Sequence, residues 1–478
     1  FFVSFCCDGK FFIDQENVGL MKLENDSLTL IPGGEAFARK TVYMIAPYDK
    51  RQLLIGTKKN GFFIYDGRQA IPFTTEADTY LKERKFYRGI RLSSGHFALT
   101  TRGGGLVVID SRGKLKDIFD KTSGLADDNV KYVFEDYQGN LWLALNSGIS
   151  KIEYRSPVFI HDARMGLTGL VLSVTTHGDT IFAGTTRGLF HLTPGKSKIP
   201  GLFSTGKFEP VPGIAGACRA LLSNNDLLIG GSDGVYRLAG KNRTKIIDNN
   251  SFFLLQSGKD RNRLWVGTHQ GLFSLYRRKD RWEKEHKFKK TTHPIHTIVE
   301  DEAGSLWLGT LTKGVFKIDF PAAGTILDPA VSRYDSSHGL PDEDIHVFWA
   351  AQHVIFATQK GIFRFDDKKD SFIPDETLGE EFAGGKGSRA VFRIVEDSSK
   401  HIWVHSLYRT ICAVPRRDGT YTLLRKPFRL LYDQSNTIFP DPGGHDVWFA
   451  NNESLVRFDK RQEKNDDLEF KTLIRKIE

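Results

Sequence analysis

Apolar and polar positions follow one phrase that recurs along the whole chain. Four or five apolar or β-branched residues lead into a turn containing Gly, and an alternating strand follows, as in Leu306-Trp-Leu-Gly-Thr310 and Val315-Phe-Lys-Ile-Asp319. That phrase predicts a β-hairpin. Another apolar strand ending in an acidic turn stands ahead of it, as in 130–140, 296–305 and 391–401, and a more polar fourth strand such as 332–335 comes behind. Helix-period stripes with caps are absent. The second position of each copy is an anchor: Phe12, Leu54, Ala98, Trp142, Phe182, Leu228, Trp265, Trp307, Ile355, Trp403 and Trp448. These recur about every 44 residues, and five of the seven tryptophans occupy this one position. Four strands in roughly 40–45 residues is the period of a propeller blade. The expected fold is therefore all-β, a β-propeller built from about eleven four-stranded blades.

A blade accounts for the residue types. The innermost strand is expected to be buried on both faces, hence its apolar character. The anchor fills the gap between neighbouring blades, where a large flat side chain buries most area. Gly at the hairpin turn allows a positive φ. Asp136, Asp301 and Asp397 fall at the turn after the inner strand, where a carboxylate can accept backbone N–H bonds.

Composition narrows the partners. The chain of 478 residues is 40% hydrophobic and 26% charged, too apolar for disorder. No apolar run approaches the roughly 18 residues that cross a bilayer. The chain opens on Phe1 with no signal-like stretch, so it reads as an internal piece, a processed protein or a trimmed one. Four cysteines, with no C-x-x-C spacing, argue against a disulfide scaffold or a zinc ribbon, and their expected state is the buried thiol. The net charge of +9 weakly favours anionic partners. Its densest patch, 259–290, holds 11 Lys/Arg against 4 Asp/Glu, but with neither a recognition helix nor an aromatic platform it reads as a solvated outer strand rather than a nucleic-acid surface.

Several motifs look chemical in isolation. Gly230-Gly-Ser-Asp-Gly234 matches G-x-S-x-G, yet it sits at the same hairpin turn as Gly267–Gly271, where no helix follows to complete a nucleophile elbow. Gly384–Ser388 and Arg102–Gly105 are Gly-rich but lack phosphate-loop spacing. His293-x-x-His296 would lie on opposite faces of a strand and falls short of the three or four ligands a metal needs. The pairs Glu135-Asp136, Glu300-Asp301 and Glu396-Asp397 recur at one blade position, which marks a structural turn, whereas a catalytic pair is singular. No catalytic residue, metal ligand or cofactor is expected.

The sequence L-W-L-G-T-x-x-x-G-V-F-x-I-D preceded by V-E-D-x-x-G-S, with the openings GLADDNV (124–130) and GLPDEDI (339–345), resembles the two-component regulator propeller repeat. The resemblance covers essentially the whole chain. It implies two seven-bladed propellers forming the extracytoplasmic sensor of hybrid histidine kinases and related receptors, followed by a small Ig-like domain, a membrane helix and an output domain. Eleven blades are counted where fourteen are implied. The implied layout is residues 1–158 as the last blades of an incomplete first propeller, 159–469 as a complete second one, and 470–478 as the start of a linker or Ig-like domain. The implied function is a periplasmic or extracellular sensor segment, itself no enzyme, that binds a small molecule or oligosaccharide and signals to a downstream domain. An acidic ligand would suit the basic balance, and the resemblance allows a homodimer through the parent receptor. No nucleic acid or membrane contact is expected of the segment. The alternatives are a propeller enzyme, such as a polysaccharide or lactone lyase with a non-repeating His, Tyr or Arg cluster on the axis, and a protein-binding propeller scaffold.

Within a repeat, specificity can be built only where residues vary. The turn between second and third strands and the connection between blades share one face, and there Arg187, Arg219, Asp233, His269, His293, Arg389 and Tyr408 are the candidate ligand-binding residues. Trp282 lies outside the register in a charged strand, so its truncation is expected to cost far less than that of Trp265 or Trp307.

Overall fold

The structure is a computed structural model that describes residues 3–7, 9–154, 156–195, 204–240, 242–321, 326–341, 344–407, 409–428 and 437–461. Among these residues the chain forms eleven antiparallel sheets, numbered 1 to 11 here in chain order. Ten have four strands; sheet 4 has three, Val130–Glu135, Leu141–Leu145 and Gly148–Ile152. The one α-helix among the described residues is the short Asp78–Glu83. Every anchor lies on the second strand of its sheet. Tyr408 and the tail 470–478 lie outside the described residues.

The recurrent E-D pair divides its labour between two sheets. The Asp closes its own turn: Asp301 Oδ1 accepts from Ser305 N at 2.9 Å, and Asp397 Oδ1 accepts from Ser399 N at 2.8 Å and His401 N at 3.0 Å. Its second oxygen accepts the indole N–H of the anchor six residues on, at 2.9 Å in Asp136–Trp142, 3.0 Å in Asp301–Trp307 and 3.1 Å in Asp397–Trp403. The Glu reaches back to the preceding sheet. Glu135 accepts from Ser93 N at 2.6 Å, Glu300 from Gly258 N at 2.6 Å, and Glu396 from Ala351 N at 2.7 Å. Burial opposes ionisation of Asp397, yet Trp403, Lys460 and the His401 N–H together hold its carboxyl below the ordinary value. The structural reading of these pairs is correct, and the turn supplies a bond the spacing alone did not suggest.

The G-T-x-x-G segment is a second lock. The hydroxyl of a Thr at or just after the end of the second strand donates to the carbonyl of the Gly at or just before the start of the third: Thr185 to Gly188 at 3.2 Å, Thr268 to Gly271 at 2.8 Å, Thr310 to Gly314 at 2.7 Å and Thr358 to Gly361 at 2.8 Å. Gly271 has φ 101°, and a Cβ there would meet Thr291 O at 1.4 Å. Only glycine fits that close approach.

The chain divides into two compact units. Sheets 1 to 4 belong to the unit that runs to Ser156, and sheets 5 to 11 to the unit that starts at Pro157. In the second unit each sheet shares a core with the next. Trp307 of sheet 8 packs on Phe356 of sheet 9 at 5.1 Å, and Trp403 of sheet 10 on Phe449 of sheet 11 at 5.7 Å. Trp448, Ala450 and Leu455 of sheet 11 share a core with Val171, Val174, Ala183 and Phe190 of sheet 5. The outer strand of sheet 11 is Val158–His161, the segment before sheet 5, paired with Leu455–Asp459.

Three expectations need correction. Trp282 is 7% exposed, and its indole donates to the buried Asp226 of sheet 6 at 3.0 Å. It alternates inward between Arg281 and Glu283, so the charged neighbours face out while the ring joins the core. Trp142 is 42% exposed, because sheet 4 is the last of its unit and no sheet of that unit covers its outer face. The inner strands are not uniformly buried on both faces: Phe253 and Leu255 of sheet 7 are partly exposed and Trp349 of sheet 9 is 37% exposed, and these side chains line a cavity of about 480 Å³. Among the thiols, Cys7, Cys218 and Cys412 are buried and Cys6 is exposed; burial pushes Cys218 and Cys412 up to about 12.

His161 on the strand shared with sheet 11 is buried beside Trp448 and Phe208, with ring centroids 5.6 and 5.7 Å away. Burial pushes its imidazole down to about 4, Arg457 adds to this, and Asp162 opposes it. The unfolded chain takes up a proton that the folded one refuses. The stabilisation is therefore complete above about pH 6.5 and is lost as pH falls toward 4, by roughly 3 kcal/mol. Urea unfolding from pH 7 to 4 should show that much more loss in the native chain than in His161→Leu. In the same assay at pH 7, Trp307→Ala and Trp282→Ala should each cost roughly 3–5 kcal/mol; a loss at Trp282 well below that would contradict its place in the core.

Candidate functional site

In sheets 6 to 10 of the seven-sheet unit, polar or aromatic residues stand at or next to the start of the inner strand. In sheets 6 and 7 the pairing register shifts between Cys218 and Ala220 and between Ser251 and Phe253, so Arg219 and Phe252 are extra residues at β-bulges. A bulge re-aims one side chain out of the ladder. His296 immediately precedes the inner strand of sheet 8, Thr297–Glu300; His346 opens that of sheet 9, His346–Ala350; and Arg393 opens that of sheet 10, Arg393–Glu396.

Three of these groups stack across consecutive sheets. The Arg219 guanidinium lies 5.5 Å from the Phe252 ring centroid, and Phe252 and His296 are stacked at 4.3 Å with an interplanar angle of 17°. Arg219 Nη1 also donates to Asn250 Oδ1 at 3.2 Å, which fixes the guanidinium over the ring. His269, on the hairpin turn of sheet 7, approaches the edge of Phe252 at 6.5 Å. On the next sheets His346 Nε2 and Asp344 Oδ2 are 3.1 Å apart. Burial lowers the His296 pKa; Asp344 opposes the shift, while His346, Arg219 and His269 add to it. Burial also works against the charge of Arg393, and Asp344 supports it. Two arginines, three imidazoles and one carboxylate thus act on one another at one end of five consecutive sheets. The balance is cationic, with a ring surface between the charges.

Of the residues singled out by sequence, Arg219 and His269 belong to this cluster. The others have different surroundings. Arg187 stands on the hairpin turn of sheet 5, its N–H bonded to Thr185 Oγ1 at 3.0 Å. Asp233 accepts from Tyr236 Oη at 2.5 Å, His293 stacks on Phe316 at 6.1 Å, and Arg389 Nε is 2.8 Å from Glu381 Oε2. Tyr408 is outside the described residues. Sequence reasoning missed Phe252, His296, Asp344, His346 and Arg393. The usable signal was a polar or aromatic residue at or within two residues of the start of an inner strand, where the rest of the strand is apolar. Among the described residues no group of three or more His, Cys, Asp or Glu could hold a metal ion, and no helix is long and apolar enough to cross a membrane.

The coupling has a direct spectroscopic consequence. With the imidazole resonances followed by NMR, His296 should titrate below its ordinary value of 6.5. Arg219→Ala should raise that midpoint and Asp344→Asn should lower it further; movement in the opposite sense at either site would break the cluster apart.

No family model matches the chain, and no curated protein matches it. Solved structures do share its fold. The extracellular domain of BT3049 from B. thetaiotaomicron, assigned to a hybrid two component system, aligns with a TM-score of 0.62 at 16% identity, over 96% of this chain and 61% of that one. The extracellular domain of BT4673 from B. thetaiotaomicron, assigned to a one component system, aligns with a TM-score of 0.50 at 14% identity, over 95% and 63%. The chain therefore spans about six tenths of the length of each. At these identities the likeness establishes the all-β propeller fold.

Proposed function

We propose that this chain is the ligand-sensing part of an extracytoplasmic receptor of the two-component type, and that its seven-sheet unit binds a carboxylated small molecule or oligosaccharide over the ends of the inner strands. The observation that carries the reading is the Arg219–Phe252–His296 stack with Asp344, His346 and Arg393 beside it. An arginine held in place by Asn250 offers a preformed partner for a carboxylate. The exposed His269 ring offers a stacking surface to a sugar face, and the imidazoles can donate to or accept from hydroxyls. The fold shared with extracellular domains of such systems supports a periplasmic or extracellular placement and a role in signalling rather than turnover.

The same cluster favours one second reading, a lyase acting on a uronate. An arginine would neutralise the substrate carboxylate, a neutral imidazole such as His296 would take the proton beside it, and the C–O bond at the next carbon would break as the double bond forms. The leaving oxygen would receive a proton. This differs from sensing in that product accumulates.

Calorimetric titration with oligogalacturonates and glucuronate-containing oligosaccharides tests both. Binding is expected without appearance of an ultraviolet-absorbing unsaturated product. Arg219→Ala and His296→Ala should each weaken it about tenfold or more, roughly 1.4 kcal/mol, with the melting temperature intact. Arg389→Ala should leave affinity unchanged, because its guanidinium is committed to Glu381. Equal affinity in native and Arg219→Ala protein would overturn the assignment, and steady product formation would replace sensing by catalysis.

A further inference from the structure

Sheet 9 breaks the repeat at the opposite end from the cluster just described. Its first two strands, His346–Ala350 and His353–Thr358, are joined by the two-residue turn Ala351-Gln352 where sheets 8 and 10 carry the longer acidic turn. Both turn residues are left-handed, with φ 50° and 66°, a conformation glycine or asparagine normally supplies. The anchor of sheet 9 is Ile355, so neither the Asp nor the indole of the usual lock is present. Beside this turn a cleft of about 680 Å³ lies between sheets 8 and 9, within the roughly 300–1,000 Å³ of small-ligand sites. It adjoins the cavity lined by the inner strands, with Asp301, Glu302 and Trp349 common to both.

The walls are built. Trp349, at the end of an inner strand, is 37% exposed, and Phe365 adds a second ring. His353 bonds at both nitrogens: Nδ1 lies 3.0 Å from Ala351 O and Nε2 2.6 Å from Oδ2 of the buried Asp375. A carbonyl and a carboxylate only accept, so both nitrogens carry protons and the ring is an imidazolium; the Asp375 bond raises its pKa accordingly. Around this pair stand Arg364, exposed and without a hydrogen bond or ion pair among the described residues, and the exposed carboxylates Glu302, Asp367 and Glu376. The lining carries both signs of charge, Lys317, His353 and Arg364 against Asp301, Glu302, Asp367, Asp375 and Glu376. A ligand of single charge would meet like charge on part of this lining, whereas a hydroxyl both donates and accepts and can pair with either kind.

We propose that this cleft is a second binding site, distinct from the cationic cluster, and that it takes a neutral sugar of one or two rings with one ring face on Trp349 and hydroxyls shared between Arg364 and the rim carboxylates.

The test is ligand-observed NMR with D-glucose, D-galactose, D-xylose, cellobiose and lactose as neutral probes, and glucuronate and glucosamine as charged ones. At least one neutral probe is expected to bind. Its affinity should fall about tenfold or more in Trp349→Ala and in Arg364→Ala and stay unchanged in Arg219→Ala, the variant that separates this site from the cluster. Asp367→Trp, a substitution at an exposed rim position that fills the cleft without touching the core, should abolish binding and keeps the test decisive if Trp349→Ala lowers the melting temperature. Absence of binding by every neutral probe overturns the proposal. So does a bound probe indifferent to Asp367→Trp, or binding confined to the charged sugars.

Discussion

In sheets 4, 8 and 10 a carboxylate that closes a turn also binds the indole of the anchor, and in sheets 8 and 10 that ring fills the gap to the next sheet. The Asp of each E-D pair accepts its turn N–H bonds on one oxygen and the anchor's indole N–H on the other, which in sheets 8 and 10 holds the anchor ring toward the neighbouring sheet. The Glu beside it bonds to a backbone N–H of the sheet before. Two adjacent acidic residues therefore connect three things: their own hairpin, the gap ahead and the sheet behind. Charged hydrogen bonds of this kind are among the stronger ones available, and leaving any partner out strands a buried polar group. Trp282 and Asp226 show the same chemistry assembled from different positions, an outer strand of one sheet and a turn of the one before.

Because fold-determining bonds sit at one end of each sheet and at the hairpin lock, the first residues of the inner strands are left unconstrained. Bulges in sheets 6 and 7 exploit that freedom by turning Arg219 and Phe252 out of the ladder. Consecutive sheets then bring single residues from distant parts of the chain into one column. Arg219 and His296 are far apart in sequence, yet both meet Phe252. A repeat protein builds a non-repeating site in this way, one residue per repeat, on a scaffold whose rigidity comes from elsewhere.

Sheet 9 is the converse case. There the repeat itself is broken, with a two-residue turn in place of the lock, and the stabilising work passes to neighbours: Glu396 of sheet 10 holds the turn through Ala351 N, and Trp307 of sheet 8 fills the core against Phe356. The departure carries non-glycine residues in left-handed conformations and an exposed Trp349. Strain and exposed ring surface that the fold does not need are the marks of a site rather than of a scaffold.

The sequence by itself determined the strand register, because a period-two alternation can seat its apolar residues inward in only one way, and all eleven anchors lie where the spacing put them. It also determined the role of the E-D turns, since their recurrence excludes a singular chemical role. Tertiary structure decided what depends on through-space partners. Trp282 looked solvated among Arg281, Glu283 and Lys284 because its partner, Asp226, lies in another sheet. The outer strand of sheet 11 had to come from Val158–His161, a pairing across about three hundred residues that no local pattern encodes. The cluster was half legible for the same reason. Arg219 and His269 are conspicuous as variable polar residues, but Phe252 reads as one more apolar residue of a buried strand until a bulge turns it toward His296. Which residues face inward is a local property of the backbone; which of them meet is fixed only when the sheets are packed side by side.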